Sequence, residues 1–130
     1  MSSMRTFPDI DSIIFDLDGT LLDSTEVCLV AWHEVISTLD CVTRPVTLSD
    51  LQGVMGLHHT LIGDRLFPYL EDAQKREVME RCYAQENDAI RRAGGKLYDG
   101  VEDTLEALSS RFRLLIVSNC QAGYIEAFHS

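Results

Sequence analysis

Two aspartates separated by a single leucine, Asp16 and Asp18, follow the short apolar run 13–15. Alternate side chains of a strand share one face, so both carboxylates are expected on the same side and the intervening leucine on the other. Gly19 allows a sharp turn, and Thr20 adds a hydroxyl. Two close carboxylates attract a divalent cation, and one can attack an electrophile while the other moves a proton. The pattern predicts a catalytic site at the carboxyl end of a buried strand.

A second apolar run, residues 114–117, ends in Ser118 and Asn119. A small hydroxyl and free backbone N–H groups at the end of a strand suit a phosphate oxygen. Serine and asparagine are also ordinary turn residues, so this segment alone is a weak sign of a phosphate site. The aspartate pair that precedes it in the chain strengthens that interpretation.

Residues 13–24 read Ile-Ile-Phe-Asp-Leu-Asp-Gly-Thr-Leu-Leu-Asp-Ser and resemble the first motif of the haloacid dehalogenase superfamily of phosphohydrolases. Residues 114–119 resemble its second motif, and residues 98–101 resemble the re-entry of the chain from a cap into the core. The alternative for the first segment is a surface turn whose acids cap a helix, and the strand pattern before it favours the motif.

The resemblance implies an α/β fold: a partial Rossmann-like parallel-sheet core, 1–22 plus 96–130, with an inserted all-α cap of four helices, 23–95. Helical periodicity without a strand pattern runs through the insertion, with helices expected near 23–39, 47–55, 57–66 and 71–92. Gly94-Gly95 ends the last of them and, with Leu22-Asp23, predicts a pair of hinges. A helix over 99–108 then leads into the second strand as a right-handed parallel crossover.

The first cap helix is expected to begin with a capping box between Asp23 and Glu26. Its apolar stripe is predicted to comprise Val27, Val30, Ala31, Val35 and Leu39. Trp32 is expected to pack inside this unit; the alternative is that Trp32 or His33 lines the cap face of the cleft. The fourth helix should present Val78 and Cys82 on its apolar side, with Ala89 and Ile90 as further candidates.

The resemblance also implies roles for individual residues. Asp16 is the nucleophile and forms an aspartyl-phosphate; Asp18 protonates the leaving oxygen and later activates water. Mg²⁺ binds the Asp16 carboxylate and the Asp18 backbone carbonyl. Thr20, Ser118 and Asn119 contact phosphate oxygens. An acid at position 18 separates phosphatases and mutases from the dehalogenases, so cleavage of a carbon–halogen bond is disfavoured.

Two adjacent histidines, His58 and His59, are candidates for contact with the substrate. Neighbouring residues of a helix point a quarter-turn or more apart, so the pair is not expected to share a metal ion. The alternative is that both are polar residues at the start of a helix. The expected ligand is a small phosphorylated metabolite, and sugar phosphates, phosphoglycolate, nucleotides and pyrophosphate all remain open.

The chain has 130 residues and a formal net charge of −10. Such a surface repels nucleic acid and anionic membranes, which excludes both as expected partners. No apolar run approaches a membrane span and none near the start has signal-peptide character, so a cytoplasmic location is expected. The four cysteines form no C-x-x-C pair and are expected to be reduced thiols, with Cys120 a bystander beside the site.

The resemblance further implies a lysine and an acidic pair late in the chain, but after Asn119 the sequence has neither lysine nor aspartate. The chain is therefore expected to be a fragment or a truncated gene product. The alternatives to an active phosphatase are a catalytically silent fragment or binding module, and a phosphoglucomutase-like phosphoryl transferase in the complete protein. Self-association, or pairing with the missing C-terminal half, is expected to cover the exposed side of the first strand.

Overall fold

The computed structural model describes residues 7–129, with side chains through residue 127. Within this range the elements follow the expected order of strand, helical insertion, helix, strand and helix. They are β1 (Ser12–Phe15), β2 (Leu22–Asp23), α1 (Thr25–Ile36), α2 (Leu48–Val54), α3 (His59–Leu66), α4 (Asp72–Ala93), β3 (Lys96–Leu97), α5 (Val101–Ser109), β4 (Arg113–Ile116) and α6 (Tyr124–His129).

The strands that carry the two motifs lie side by side. β1 and β4 pair in parallel, with Phe15 opposite Ile116, which confirms the predicted partial parallel-sheet core. Phe15 and Ile116 pack against the buried cluster beneath the sheet. On the other face Ile14 and Val117 are 63% and 62% exposed. Parallel strands present their carboxyl ends at one edge, so the two motifs meet there.

The helices α1 to α4, called here the four-helix unit, enclose a hydrophobic core of their own. Trp32 is 2% exposed and stacks on Phe67 with ring centroids 6.5 Å apart, which confirms its packing role. Val78 and Cys82 are buried in the same core, as predicted. The predicted stripe of α1 is wrong at Val30, which is 60% exposed. The buried face of α1 instead carries Thr25, Cys28, Ala31 and Trp32.

The start of α1 also differs from the prediction. Asp23 and Glu26 form no capping box, because Ser24 is the N-cap residue and makes no side-chain capping bond. The Asp23 carboxylate accepts hydrogen bonds from the backbone N–H and the hydroxyl of Thr25, at 3.2 and 2.6 Å. A capping box does form at α2, where Thr47 and Asp50 bond reciprocally. Helix α1 ends at Ile36, one turn earlier than the sequence pattern suggested.

Helix α4 links the four-helix unit to the sheet. Its central part packs on α1, and its end places Ile90 in a second cluster with Leu17, Leu22 and Tyr124. This 22-residue helix is the longest described, and its sequence is rich in charged residues. No helix within the described part of the chain is both long and apolar enough to cross a membrane.

The two connections between the sheet and the four-helix unit are joined to each other by β2 and β3. These two-residue strands pair antiparallel, Leu22 opposite Leu97 and Asp23 opposite Lys96. The ladder was not predicted, because two residues are too few to show a strand pattern. The chain passes so close at this point that a Cβ on Gly95 would lie 2.2 Å from Leu22 Cδ1. The predicted hinge segments are therefore in contact with one another.

Candidate active site

Asp16 and Asp18 lie where β1 ends. Leu17 between them is fully buried, while both carboxylates line the same cavity, as the alternation predicted. Backbone bonds from residues 20–22 to the Leu17 carbonyl close a tight loop. Gly19 has φ of 77°, and a Cβ there would lie 2.9 Å from Met55 Sδ, so both the turn and the approach of the four-helix unit favour glycine.

Asp18 is held in a half-buried environment. The Tyr124 hydroxyl donates a hydrogen bond of 2.7 Å to Asp18 Oδ1, and Ser24 Oγ lies 3.2 Å from the same oxygen. Burial raises the pKa of Asp18 above its ordinary value; these two hydrogen bonds offset part of the effect, and the neighbouring charge of Asp16 adds to it. A carboxyl group with a raised pKa retains its proton more readily, which suits a general acid.

Asp16 is more open to solvent than Asp18. The Thr20 hydroxyl donates a hydrogen bond of 3.1 Å to Asp16 Oδ2. Thr20 does not line the cavity, so in this structure its hydroxyl is placed to orient Asp16; its predicted contact with phosphate stays a prediction. Two carboxylates in different environments, one exposed and one half-buried, can take different chemical roles.

A cavity of about 260 Å³ lies between the carboxyl ends of β1 and β4 and the four-helix unit. The sheet side contributes Asp16, Asp18, Ser118, Asn119 and Cys120. The helical side is largely apolar and aromatic, and includes Trp32, Leu51, Val54, Ile62 and Tyr83. An apolar cavity with a few converging polar groups is typical of a site for a small molecule.

Asn119 joins the sheet to the four-helix unit. Its side-chain nitrogen donates a hydrogen bond of 3.2 Å to the Gly56 carbonyl, and its own carbonyl accepts one of 2.9 Å from the His59 N–H. The predicted phosphate residues Ser118 and Asn119 thus both reach the cavity, and Asn119 is already engaged with the loop between α2 and α3.

The two predicted substrate histidines separate in the structure. His58 is exposed and does not line the cavity; its Nδ1 lies 2.8 Å from the Thr60 hydroxyl, and it caps the start of α3. The prediction of substrate contact is therefore not supported for His58, because its side chain serves as a helix cap. His59 does line the cavity, and its Nδ1 is shielded from solvent with no hydrogen-bond partner among the described residues.

Sequence reasoning missed the buried polar network behind the cavity. Glu86 on α4 is 9% exposed; its Oε2 accepts a hydrogen bond of 2.6 Å from Trp32 Nε1, and its Oε1 accepts one of 3.2 Å from Gln121. Tyr124 was also missed as the partner of Asp18. These contacts join residues 35 to 106 positions apart, so no local pattern reveals them.

Two thiols line the cavity, Cys28 and Cys120. Burial raises the pKa of both, so each favours the protonated thiol, which is a poor nucleophile. The structure is therefore consistent with the prediction that Cys120 lies beside the site and does not act as a nucleophile.

The donors at the end of β1 are oxygen atoms, the ligand type that Mg²⁺ prefers. Mg²⁺ commonly takes one or two carboxylates and completes its shell with water and substrate phosphate. The Asp16 carboxylate and the Asp18 backbone carbonyl match this coordination preference. Among the described residues there is no group of three or more histidine, cysteine, aspartate or glutamate side chains placed to hold a metal ion.

Comparison with known sequences identifies a relationship over most of the chain. The family model "haloacid dehalogenase-like hydrolase" matches residues 13–129. A protein of Xylella fastidiosa named phosphoglycolate phosphatase is 32% identical over 106 residues, which cover 82% of this chain and 44% of the relative. A Xanthomonas campestris protein of the same name is 32% identical over 75% of this chain and 42% of its own length. The chain thus spans less than half the length of these relatives.

Solved structures share the fold. A predicted phosphoglycolate phosphatase from Haemophilus somnus superposes with a TM-score of 0.72 at 19% identity, over 92% of this chain and 60% of that one. A hydrolase from Pseudomonas syringae gives a TM-score of 0.69 at 21% identity, over 92% of this chain and 54% of its own. The family match, the motif positions and the shared fold agree: this chain belongs to the haloacid dehalogenase-like hydrolases.

Proposed function

We propose that this chain carries the nucleophile and the general acid of a Mg²⁺-dependent phosphatase that hydrolyses a small phosphorylated metabolite through an aspartyl-phosphate. The main support is the pair of carboxylates on one cavity wall, with Asp16 exposed and Asp18 half-buried and raised in pKa. Family membership supports the same reaction class.

In the first step, an Asp16 carboxylate oxygen bonds to phosphorus as the bond from phosphorus to the ester oxygen breaks. The Asp18 carboxyl gives its proton to that leaving oxygen. In the second step, Asp18 takes a proton from water, whose oxygen attacks phosphorus and releases Asp16 and inorganic phosphate. Thr20 orients Asp16, and Tyr124 and Ser24 orient Asp18.

The Asp16 carboxylate and the Asp18 backbone carbonyl would hold the Mg²⁺ ion. When bound, the ion offsets the negative charge of the phosphoryl oxygens. Ser118 and the backbone near Asn119 would contact those oxygens at the end of β4. The four-helix unit acts as a cap that closes over the cavity and selects the leaving group. Phosphoglycolate, sugar phosphates and nucleotides remain substrate candidates at this level, and a cytoplasmic location remains a prediction.

The test is hydrolysis of p-nitrophenyl phosphate with Mg²⁺ by the unaltered chain and by Asp16→Asn. We expect the variant to lose turnover and keep its circular dichroism spectrum, because the amide cannot attack phosphorus. The matched control is Asp40→Asn, which removes the same charge from an exposed site far along the chain. Acid-quenched enzyme should carry a phosphoryl group on the peptide that contains Asp16. Near-normal turnover by Asp16→Asn would refute the nucleophile assignment.

A second candidate is a catalytically silent fragment or binding module. The observation in its favour is that the chain spans less than half of its relatives and has no lysine after Asn119. It predicts that the chain binds Mg²⁺ and phosphate monoesters weakly and releases no p-nitrophenol. A phosphoglucomutase-like transfer would instead be detected as phosphoryl transfer from the trapped Asp16 to a sugar hydroxyl rather than to water.

A further inference from the structure

The stretch between β4 and α6, residues 118–123, forms neither helix nor strand and is called here the β4–α6 loop. Ser118 and Asn119 at its start line the cavity. Tyr124, directly after it, donates the hydrogen bond of 2.7 Å to Asp18 Oδ1. A loop has no helical or strand hydrogen bonds of its own, so contacts with the surrounding scaffold set its position. The contacts that fix this loop therefore also place the residues proposed to meet phosphate.

Asn87 on α4 holds the β4–α6 loop with both ends of its side-chain amide. Its Oδ1 accepts a hydrogen bond of 2.8 Å from Gln121 Nε2, and its Nδ2 donates one of 2.9 Å to the Ala122 carbonyl. If the amide were turned over, a nitrogen would face the Gln121 nitrogen and an oxygen would face the carbonyl, so only one orientation satisfies both contacts. The loop is thus fastened at two consecutive residues to a long helix.

The loop and α4 approach each other closely at this point. A Cβ on Gly123 would lie 2.9 Å from Asn87 Nδ2, so a larger residue there would push the amide out of place. Gln121 is 8% exposed, and its amide also donates a hydrogen bond of 3.2 Å to Glu86 Oε1. Asn87 itself does not line the cavity. It can therefore act on a bound ligand only indirectly, and the loop is the neighbour that carries the phosphate residues.

Resting on the proposed phosphatase function, we propose that Asn87 is a positioning residue for that reaction: from the four-helix unit it holds the β4–α6 loop where Ser118 and Asn119 meet the phosphoryl oxygens. A loop that is ordered before the ligand arrives loses less conformational freedom on binding, so the two Asn87 bonds raise the affinity for phosphate. A side chain of the unit proposed to select the leaving group thereby also controls the phosphate end of the site.

The first measurement is an NMR titration with inorganic phosphate in the presence of Mg²⁺, followed at the backbone amide signals of Ser118 and Asn119. We expect Asn87→Ala to bind phosphate about tenfold more weakly than the unaltered chain, because both loop contacts are lost. The matched control is Gln85→Ala, which also truncates a partly buried amide on α4. That amide donates a hydrogen bond of 2.7 Å to Glu34, within the four-helix unit, so the control should keep its phosphate affinity.

Hydrogen exchange without a ligand is the second measurement and does not depend on the phosphatase proposal. The Asn119 carbonyl accepts a hydrogen bond of 2.9 Å from the His59 N–H, on a different helix from Asn87. If Asn87 positions the loop, this N–H should exchange faster in Asn87→Ala than in Gln85→Ala. Urea unfolding of both variants corrects the exchange rates for any general loss of stability.

Three results would overturn the inference. One is equal phosphate affinity in folded Asn87→Ala and Gln85→Ala, which would leave Asn87 with a purely structural role. Another is unchanged exchange of the His59 N–H in Asn87→Ala. The third is the absence of any response of the Ser118 and Asn119 signals to phosphate in the unaltered chain.

Hydrolysis of p-nitrophenyl phosphate by the same preparations distinguishes this inference from the proposed function. Turnover by the unaltered chain with a kcat and a KM that Asn87→Ala leaves unchanged refutes the inference alone. Phosphate binding that depends on Asn87, without any turnover, refutes the phosphatase proposal and supports Asn87 as a positioning residue of a phosphate-binding site.

Discussion

The Tyr124 hydroxyl is the closest polar contact of Asp18 and comes from the last described helix. Its hydrogen bond favours the charged form of the carboxylate and thereby limits the rise in pKa that burial produces. Tyr124→Phe should raise the pKa of Asp18 further and lower the free energy of unfolding by about 1–2 kcal/mol, the usual cost of a lost buried hydrogen bond.

Carbon-13 NMR titration of the aspartate carboxyl groups and urea unfolding would measure the two effects of Tyr124→Phe. Tyr98→Phe is the control, because it removes the same hydroxyl from a side chain that is 41% exposed. An unchanged Asp18 titration in Tyr124→Phe would contradict the assigned contact.

Glu86 makes stability depend on pH. Burial raises the pKa of this carboxyl, and the bonds from Trp32 and Gln121 offset only part of that rise. The folded state therefore binds the proton more tightly than the unfolded state. The free energy of unfolding should fall as pH rises from the ordinary glutamate pKa of about 4.3 towards the raised folded value, and stay level above it.

Glu86→Gln cannot ionise and should reduce this pH dependence in urea unfolding above the ordinary glutamate pKa of about 4.3. The slope is the relevant quantity, because replacement of one acceptor oxygen by an amide also changes the bond to Trp32. Glu80→Gln, an exposed position on the same helix, should retain the slope of the unaltered chain. A parallel pH profile for the two variants would show that Glu86 is not the responsible group.

Among individual residues, the sequence predicted only those site residues whose role follows from their neighbours in the chain. Asp16 and Asp18 are identified by their spacing and by the strand before them, and the structure places both at the cavity. Glu86 looks like one more charge on a highly charged helix. Its role depends on Trp32, 54 residues earlier, so it becomes visible only when the chain is folded.

At the scale of elements, the chain segments that leave the sheet at β2 and return to it at β3 are in tight steric contact. A Cβ on Gly95 would lie 2.2 Å from Leu22 Cδ1 and 2.8 Å from Cγ, closer than side-chain atoms normally approach. Gly95→Ala should therefore destabilise the chain by about 1–3 kcal/mol, the typical cost of overpacking.

Gly53→Ala is the matched control for Gly95→Ala. It lies in the interior of α2 with open space around the position, so alanine should stabilise the chain by up to about 1 kcal/mol. Urea unfolding of both variants gives the comparison. A neutral Gly95→Ala would mean that Leu22 moves aside at little cost and that the two connections are loosely joined.

The types of the long elements were predictable, and several of their ends were not. Amphipathic periodicity located all four helices of the insertion. It misplaced the start of α1, because an aspartate can act as the N-cap residue or accept hydrogen bonds from a residue two positions on. Asp23 adopts the second arrangement with Thr25, the first residue of α1. The orientation of α1 was also misjudged at Val30, since a stripe of valines and a stripe through Trp32 fit the same periodicity.

For the whole molecule, the exposed face of the sheet is the feature with the largest expected effect. Ile14 and Val117 are more than 60% exposed and Leu115 is 43% exposed, while β1 pairs with β4 alone among the described strands. We expect the isolated chain to self-associate through this surface or to bind the remaining part of a longer protein there. Sedimentation velocity should find species heavier than the 14.6 kDa chain.

Ile14→Lys should shift that equilibrium towards the monomer, because a lysine at the apolar face opposes close packing. Val30→Lys makes a similar change at a 60% exposed position on α1 and should leave the association unchanged. Mass spectrometry of the preparation identifies any second polypeptide. A chain that stays monomeric at every concentration would refute this prediction.

The short ladder between β2 and β3 has an evolutionary consequence. It holds Leu22 opposite Leu97, so the chain leaves the sheet and returns to it at neighbouring points. A segment with adjacent ends can be exchanged without stretching its host. We propose that residues 24–95 form an exchangeable cassette that carries the helical wall of the cavity, His59 and Glu86 included, while Asp16 and Asp18 remain with the rest of the chain. On the proposed phosphatase function, replacement of this cassette is expected to change the substrate and to leave the reaction chemistry of Asp16 and Asp18 unchanged.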